Sequence, residues 1–328
     1  MRFRFWSQEV VELGGKELRV KVAHFRLAHS RKPFIIAYPN EKQEMLLDAF
    51  VKALQFYQGV PKRVLIDNPK TMVIRIGKGK EREFHPRFLS LMNHYLIEPV
   101  ACTPASGWEK GQIENQVYTL RRQVFTPMLK FNDFESLNQH LLDCCNNLGQ
   151  KTHPHEKAKT IDEVFNQEQL QLRALGRDFD GYVEKTVRVS STCLVQYDTN
   201  HYSVPCEHAK QAVSLRIYAH QVLVVANQNV IARHRRCFKK HQYWFEPWHY
   251  LPLLKQKPGA LRNGAPFEHW ALPKALVSIK KKYLQQPQGD RQFVELLLLI
   301  QEHGMDTVEM ACELAIEDKL TQLSAIIN

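Results

Sequence analysis

The run Val64-Leu65-Ile66 constrains the fold more than any other segment, because it shows no polar alternation and stops abruptly at Asp67-Asn68-Pro69. A strand with one face in water alternates apolar and polar side chains. A strand without that alternation is covered on both faces, as at the centre of an α/β sheet. Asn-Pro is turn chemistry, so a carboxylate stands where a buried strand ends.

The surrounding pattern supplies the rest of such a sheet. Trp6 to Leu13 and Leu18 to Leu27 flank Gly14-Gly15, a hairpin signal, and Leu18, Val20 and Val22 alternate with Arg19 and Lys21. Phe34 to Tyr38 reads as a third strand. From Glu41 to Gln58 the positions Leu46, Phe50, Ala53, Leu54 and Tyr57 follow helical spacing, and Gly59 stops the helix. A hairpin around Gly77-Lys78-Gly79, a short helix with Phe88, Leu89 and Met92, and a buried strand from Ile97 to Ala101 follow. After the loop Pro104-Ala105-Ser106-Gly107 a long helix carries Ile113, Val117, Leu120 and Val124 on its apolar face, with Glu114, Tyr118 and Arg121 on an adjacent stripe. Three antiparallel strands, a crossover helix and two further helix-backed strands predict an α/β ribonuclease H-like core.

Beyond the core the pattern changes twice. Asn132 to about Arg177 is helical, with Thr160 and Glu163 spaced as a capping box. From Val187 to Ala232 short apolar strands alternate with turn residues, which predicts a small β-barrel, and Pro273 to Asn328 returns to helix. The expected domains are therefore 1–130, the ribonuclease H-like core; 131–182, a helical linker; 183–245, a small basic β-barrel; and 246–328, a C-terminal α-helical region. A chain of 328 residues divides naturally in this way, at roughly 100 to 200 residues per domain.

Charge narrows the function. Lys plus Arg outnumber Asp plus Glu by 45 to 34, a net +11 and a pI near 9.3, the footprint of a polyanion binder. No acidic residue occurs between Glu207 and Glu246, whereas Lys210, Arg216, Arg233, Arg235, Arg236, Lys239 and Lys240 accumulate there, with Tyr243 and Trp244 as stacking groups. The alternative is a generic basic face. Seven cysteines without a C-x-x-C suggest neither a disulfide framework nor a zinc finger and fit a reducing, cytoplasmic setting. His153 and His155 beside Pro154 read as a polar loop rather than a metal site. The apolar stretch Leu296 to Ile300 falls far short of the ~20 residues that cross a bilayer, so no membrane role is expected.

A strand-end carboxylate and another on the first turns of a following helix can converge at a sheet edge. Two divalent ions held by such carboxylates stabilise the attacking and leaving oxygens of a phosphodiester displacement. The runs Ile66-Asp67-Asn68-Pro69-Lys70-Thr71, Glu98-Pro99-Val100-Ala101-Cys102 and Pro104-Ala105-Ser106-Gly107-Trp108-Glu109-Lys110-Gly111-Gln112-Ile113-Glu114-Asn115-Gln116-Val117 resemble the IstA-type transposases of insertion sequence family 21, within the DDE and retroviral-integrase superfamily, over roughly residues 6–245. The resemblance implies a DNA strand transferase in which Asp67 and Glu114 are catalytic and hold Mg2+ or Mn2+ in a two-metal site. Lys110, Arg121, Arg122, Arg233, Arg235, Arg236, Lys239 and Lys240 are the expected DNA contacts. It also implies transposon-end and target DNA as partners, a homo-oligomer on DNA and an IstB-type helper ATPase.

Two departures accompany the resemblance. Family members carry an N-terminal helix-turn-helix and an aspartate immediately before the residue matched by Trp6, and Phe5 occupies that position here. Glu9 is an even step from Phe5 and so is expected on the same strand face. An N-terminally truncated chain with impaired strand transfer is the expectation, against a non-catalytic, transposon-end-binding remnant or partner subunit. A ribonuclease H-like nuclease is a third reading, and it leaves the basic segment unexplained.

Overall fold

The computed structural model describes residues 1–66, 72–76, 82–101, 120, 122–320 and 322–327. Two compact units emerge, one of residues 1–183 and 217–220, the other of residues 184–216 and 221–328.

The first unit is a sheet covered on both faces. Its strands are β1 (Arg2–Leu13), β2 (Lys16–Arg26), β3 (Pro33–Tyr38), β4 (Arg63–Ile66), a separate hairpin of β5 (Val73–Ile76) and β6 (Arg82–Phe84), then β7 (Glu98–Ala101) and β8 (Lys130–Phe131). The main order is β3-β2-β1-β4-β7, with β8 also pairing β1. The first three strands are antiparallel, while β4 runs parallel to both β1 and β7. This is the strand arrangement of the ribonuclease H-like class. Gly14 and Gly15 make the β1–β2 turn with φ of 56° and 75°, the left-handed pair that a two-residue hairpin of matching twist requires.

Strand alternation sends Ala23, Phe25, Phe34, Ile36 and Tyr38 to one face, where helices α1 (Gln43–Tyr57) and α2 (Pro86–His94) bury Phe50, Leu54, Phe88 and Met92 against them. Val11, Val20, Val22, Ile35 and Ala37 point to the other face and meet Leu120, Val124 and helix α3 (Phe134–Gly149) through Leu137, Leu141 and Cys145. Leu18, expected inward, is exposed, although Val11 opposite it is buried. Helix α1 ends on Gln58, whose φ of 51° is left-handed. Gly59 serves a different need: a Cβ there would lie 2.6 Å from the Leu172 Cβ.

The segment expected as a linker instead belongs to this unit. β3 is an edge strand, and exposed edge amides invite pairing with other chains. Asn138 on α3 blocks that edge: its Oδ1 accepts from the Ala37 amide at 2.7 Å and its Nδ2 donates to the Ala37 carbonyl at 3.0 Å. The Ile35 amide donates to Cys145 Sγ at 3.3 Å. A helix that carries strand-mimicking polar groups is part of the sheet's cover. Beyond it, helix α4 (Ile161–Gln169) starts on the anticipated capping box, with the Thr160 amide donating to Glu163 at 2.6 Å and the Glu163 amide to Thr160 Oγ1 at 3.2 Å.

In the second unit the strand-rich segment is built as two sheets. β10 (Leu194–Tyr197), β11 (Asn200–Ser203) and β15 (Tyr243–Trp244) form one; β14 (Asn229–Arg235), β13 (Gln221–Ala226), β12 (Ala212–Ile217) and β9 (Val183–Arg188) form the other in that order. The helical tail does not stand apart. Leu276, Ile279, Phe293, Leu297 and Cys312 share one core with Cys193 from the strand-rich part.

Within this unit Ser203, His234 and His249 interlock. Ser203 Oγ accepts from the Glu246 amide at 2.8 Å and shares a second hydrogen bond with His249 Nδ1, also at 2.8 Å. His234 Nε2 donates to the Ser203 carbonyl at 2.6 Å. Burial, with His234 adjacent, pulls His249 down to about 4, and burial also lowers His234.

Two outcomes follow from these contacts. Asn138→Ala leaves two backbone groups of β3 without partners and lowers stability by about 1–3 kcal/mol in urea unfolding of the chain. For His249 the unfolded chain binds the proton near pH 6.5 and the folded chain only near pH 4, so stability is complete above pH 6.5 and declines as pH falls toward 4. His249→Gln flattens that decline, and an unchanged pH profile of the thermal midpoint would contradict the assignment.

Candidate functional site

The parallel strands bring three remote segments into one row. Phe3 of β1 pairs with Ile66 of β4, and Ile66 pairs with Ala101 of β7. β4 ends at Ile66, directly before Asp67 in the chain, and β7 ends at Ala101, directly before the stretch that leads to Glu114. In open α/β sheets the carboxyl ends of parallel strands are where ligands are held, since loops leave there and helices cover the faces. Asp67, Glu114, Lys110 and Arg121 themselves lie outside the described residues. Among the described residues no group of three or more His, Cys, Asp or Glu is arranged to hold a metal.

The first strand corrects one expectation. Arg4 pairs with His24 but Ser7 pairs with Val22, so β1 advances three residues while β2 advances two. Such a bulge breaks alternation, and an even step from Phe5 to Glu9 no longer implies a shared face. Glu9 instead lies opposite Val20 and is buried. Next to the bulge, Ser7 Oγ is 2.8 Å from His24 Nε2.

His153 is a structural hydrogen-bonding spacer. Its Nε2 donates to the His29 carbonyl at 3.0 Å and its Nδ1 accepts from the Glu156 amide at 2.9 Å, so both ring nitrogens are used inside the first unit. His155 lies 3.3 Å from Arg31 Nη2.

The basic residues expected to contact DNA divide into two groups. Arg233 and Arg235, two residues apart on β14, are exposed on one strand face while Ala232 is buried, and Arg233 Nη1 donates to Gln221 Oε1 at 3.0 Å. Lys239, Lys240 and, in the first unit, Arg122 are exposed as well. Arg236 departs from the expectation. Its side chain is 1% exposed, its guanidinium lies 5.2 Å from the Tyr197 ring and 4.9 Å from the Phe238 ring, and Nη2 reaches Tyr197 Oη at 3.2 Å and Asp198 at 3.4 Å. Arg236 is the first residue beyond β14, so strand parity alone does not place it; the rings of Tyr197 and Phe238 and the Asp198 carboxylate do.

Sequence reading did not find how the aromatic residues nearby are organised. β15 pairs in parallel with β11, His201 opposite Tyr243, and their rings stack 4.5 Å apart at 6°. Local sequence carries no sign of this pairing, because 42 residues separate the partners, as in the contact of Asn200 with Gln242 at the same spacing.

Comparison with known proteins matches residues 175–246 to the family model described as Mu transposase, C-terminal domain. The transposase for insertion sequences IS1326/IS1353 from Pseudomonas aeruginosa is 43% identical over 321 residues, 96% of this chain and 63% of its own length. The transposase for insertion sequence element IS21 from the same species is 31% identical over 253 residues, 76% of this chain and 65% of its own length. The chain thus spans less than two thirds of the length of these relatives. Among solved structures, the HTLV-2 integrase catalytic core domain in complex with magnesium is 13% identical, covering 50% of this chain and 94% of that one with a TM-score of 0.33. With 43% identity sustained over 96% of its extent, the chain is a homologue of the insertion-sequence transposases of IS1326/IS1353 and IS21.

Proposed function

We propose that this chain is the catalytic and DNA-binding portion of a DDE-type transposase, performing magnesium-dependent DNA strand transfer between transposon ends and target DNA. The observation that carries the reading is the identity with a transposase over 96% of the chain. The row Phe3–Ile66–Ala101 supports it, since it delivers the segments that continue into Asp67 and toward Glu114 to one edge of the sheet.

Two carboxylates, with phosphate oxygens completing the shell, form a donor set suited to Mg2+ or Mn2+, which favour oxygen ligands and retain much of their water. Asp67 and Glu114 would hold the metal. Bound there, it would stabilise charge on the attacking and leaving oxygens. The exposed Arg233, Arg235, Lys239 and Lys240 hold the DNA backbone; Lys110, Arg121 and Arg122, neighbours of Glu114 in the chain, serve the same purpose. Assembly as a homo-oligomer on paired ends, cooperation with an IstB-type helper ATPase and a cytoplasmic, nucleoid-associated location complete the reading. No helix among the described residues is long and apolar enough to cross a membrane.

A second reading rests on Phe5, which stands where the resemblance places the first catalytic aspartate. A metal pair short of one bridging carboxylate is weakly held, and the chain would then serve as a non-catalytic subunit that occupies transposon ends.

Strand transfer on transposon-end DNA with magnesium separates the two. In the catalytic reading, Asp67→Asn and Glu114→Gln each reduce the rate by at least about a hundredfold, a barrier increase near 3 kcal/mol, with DNA binding retained. Background activity in the unaltered chain, raised by Phe5→Asp, identifies the non-catalytic subunit; robust turnover with Phe5 in place excludes it.

The basic residues generate a separate expectation. Lys239→Ala and Lys240→Ala weaken DNA binding evenly across sequences and each reduce the salt slope by about one. Arg236→Ala instead lowers stability by about 1–3 kcal/mol, since Asp198 and Tyr197 lose a buried partner. A normal thermal midpoint for Arg236→Ala, paired with a reduced salt slope, would show that its guanidinium faces DNA after all.

A further inference from the structure

One surface feature of the second unit is not explained by phosphate binding alone. Tyr243 is a large aromatic residue 57% exposed, yet its ring is fixed. It stacks on His201 at 4.5 Å and 6°, and the Phe245 ring, two residues on, lies farther off at 6.0 Å and 17°. Phe245 packs against the core of the unit and anchors this end of the strand, while Tyr243 rests on His201 and stays more than half exposed. Exposed tyrosines are ordinary singly. A near-coplanar stack anchored in a core holds one ring in place before any ligand arrives.

The adjoining basic loop is held in the same manner. Asn200, itself 1% exposed, donates through Nδ2 to the Cys237 carbonyl at 2.9 Å and accepts through Oδ1 from the Gln242 amide at 2.9 Å. One side chain therefore clamps both ends of the loop that carries Lys239 and Lys240. The His201 amide donates to the Gln242 carbonyl at 2.8 Å, locking the loop to β11. The His241 amide reaches Thr199 Oγ1 at 3.3 Å. Charge and ring are presented together on a frame that needs little ordering when it binds.

We infer that Tyr243, backed by His201, is a stacking platform for an unpaired nucleobase in a single-stranded flank of DNA, whose phosphates Lys239 and Lys240 hold. The inference rests on the DNA-binding reading above and adds the form of DNA that this surface takes. Charge complementarity argues for the occupant: the segment between Glu207 and Glu246 contains no acidic residue. Ring geometry argues for an unpaired base, because bases in a duplex offer their edges in the grooves and keep their faces stacked on one another. Joining one strand at a time leaves such unpaired flanks beside the joint, so strand transfer creates the ligand that this platform fits.

The test compares a blunt duplex with the same duplex carrying a three-nucleotide overhang that contains 2-aminopurine. With the full chain, anisotropy is expected to give an overhang affinity about tenfold above that for the blunt duplex, as expected of one base–aromatic stack, together with quenching of the analogue. Tyr243→Ala abolishes the preference and the quenching while blunt-duplex affinity stays within twofold; Tyr243→Phe keeps both signals. Equal affinity for the two DNAs without quenching, or preference and quenching that survive Tyr243→Ala, overturns the inference and leaves the DNA-binding reading intact. Failure of the unaltered chain to bind either DNA overturns both.

Discussion

Parallel pairing of β4 between β1 and β7 is the constraint on which the first unit depends. Parallel neighbours cannot be joined by a tight turn, so the chain must leave the sheet and return across one face. Helices α1 and α2 are those returns, and their apolar residues meet Phe25, Phe34 and Tyr38 in a continuous core. The same pairing aligns Phe3, Ile66 and Ala101, three segments remote in sequence. Coverage and convergence are therefore one requirement: the strand must be buried for its end to be held firmly, and its end is where Asp67 follows. A surface strand of the same composition would not offer a fixed edge.

How much of this was legible depends on whether a feature is local. The Gly14-Gly15 turn and the capping box of Thr160 and Glu163 are written within a few residues and have their expected structural counterparts; the unalternating run at Val64 forms the central strand β4, with Val64 and Ile66 buried and Leu65 half-buried. The bulge between Arg4 and Ser7 is not, because it exists only relative to the register of β2. Helix α3 was legible as a helix but not as part of the sheet's cover, since an amphipathic stripe does not name what it faces. Asn138 shows why: its amide replaces a strand at Ala37, 101 residues away. The proposed catalytic pair was legible as chemistry and as a resemblance; Asp67 and Glu114 lie outside the described residues, so the structure contributes the strand ends that precede their segments in the chain.

The strand-rich segment illustrates a different limit. Its short strands were visible from apolar spacing and turn residues, but closure into a barrel was an extrapolation from strand number. Strand spacing does not determine which strands pair. β15 joins β10 and β11 rather than the four-stranded sheet, and Asn200 secures it by binding residues on both sides of the basic loop. Likewise Cys193 shares the core of the C-terminal helices, so apolar residues on either side of a change in secondary-structure type can build one interior.

Net charge also has to be divided by location before it says anything about binding. Lys32 is buried and pairs with Asp162, with the Phe56 ring 5.6 Å from its ammonium. The pair lies against Gly149, where a Cβ would come within 2.1 Å of the Asp162 carboxylate and 2.3 Å of Lys32 Nζ, so the absence of a side chain makes room for the ion pair. Arg236 is enclosed in the same way by Tyr197, Phe238 and Asp198. A buried cation of this kind is compensated by its own carboxylate and rings, and removing the carboxylate leaves a buried charge without its counter-ion. Its field is largely cancelled outside. Arg233, Arg235, Lys239 and Lys240 are exposed, and a cation in water can exchange counterions for phosphates, which is the origin of salt-dependent affinity. Thus two arginines adjacent in sequence have opposite surroundings: Arg235 is exposed at the end of β14, and Arg236, the next residue, is enclosed.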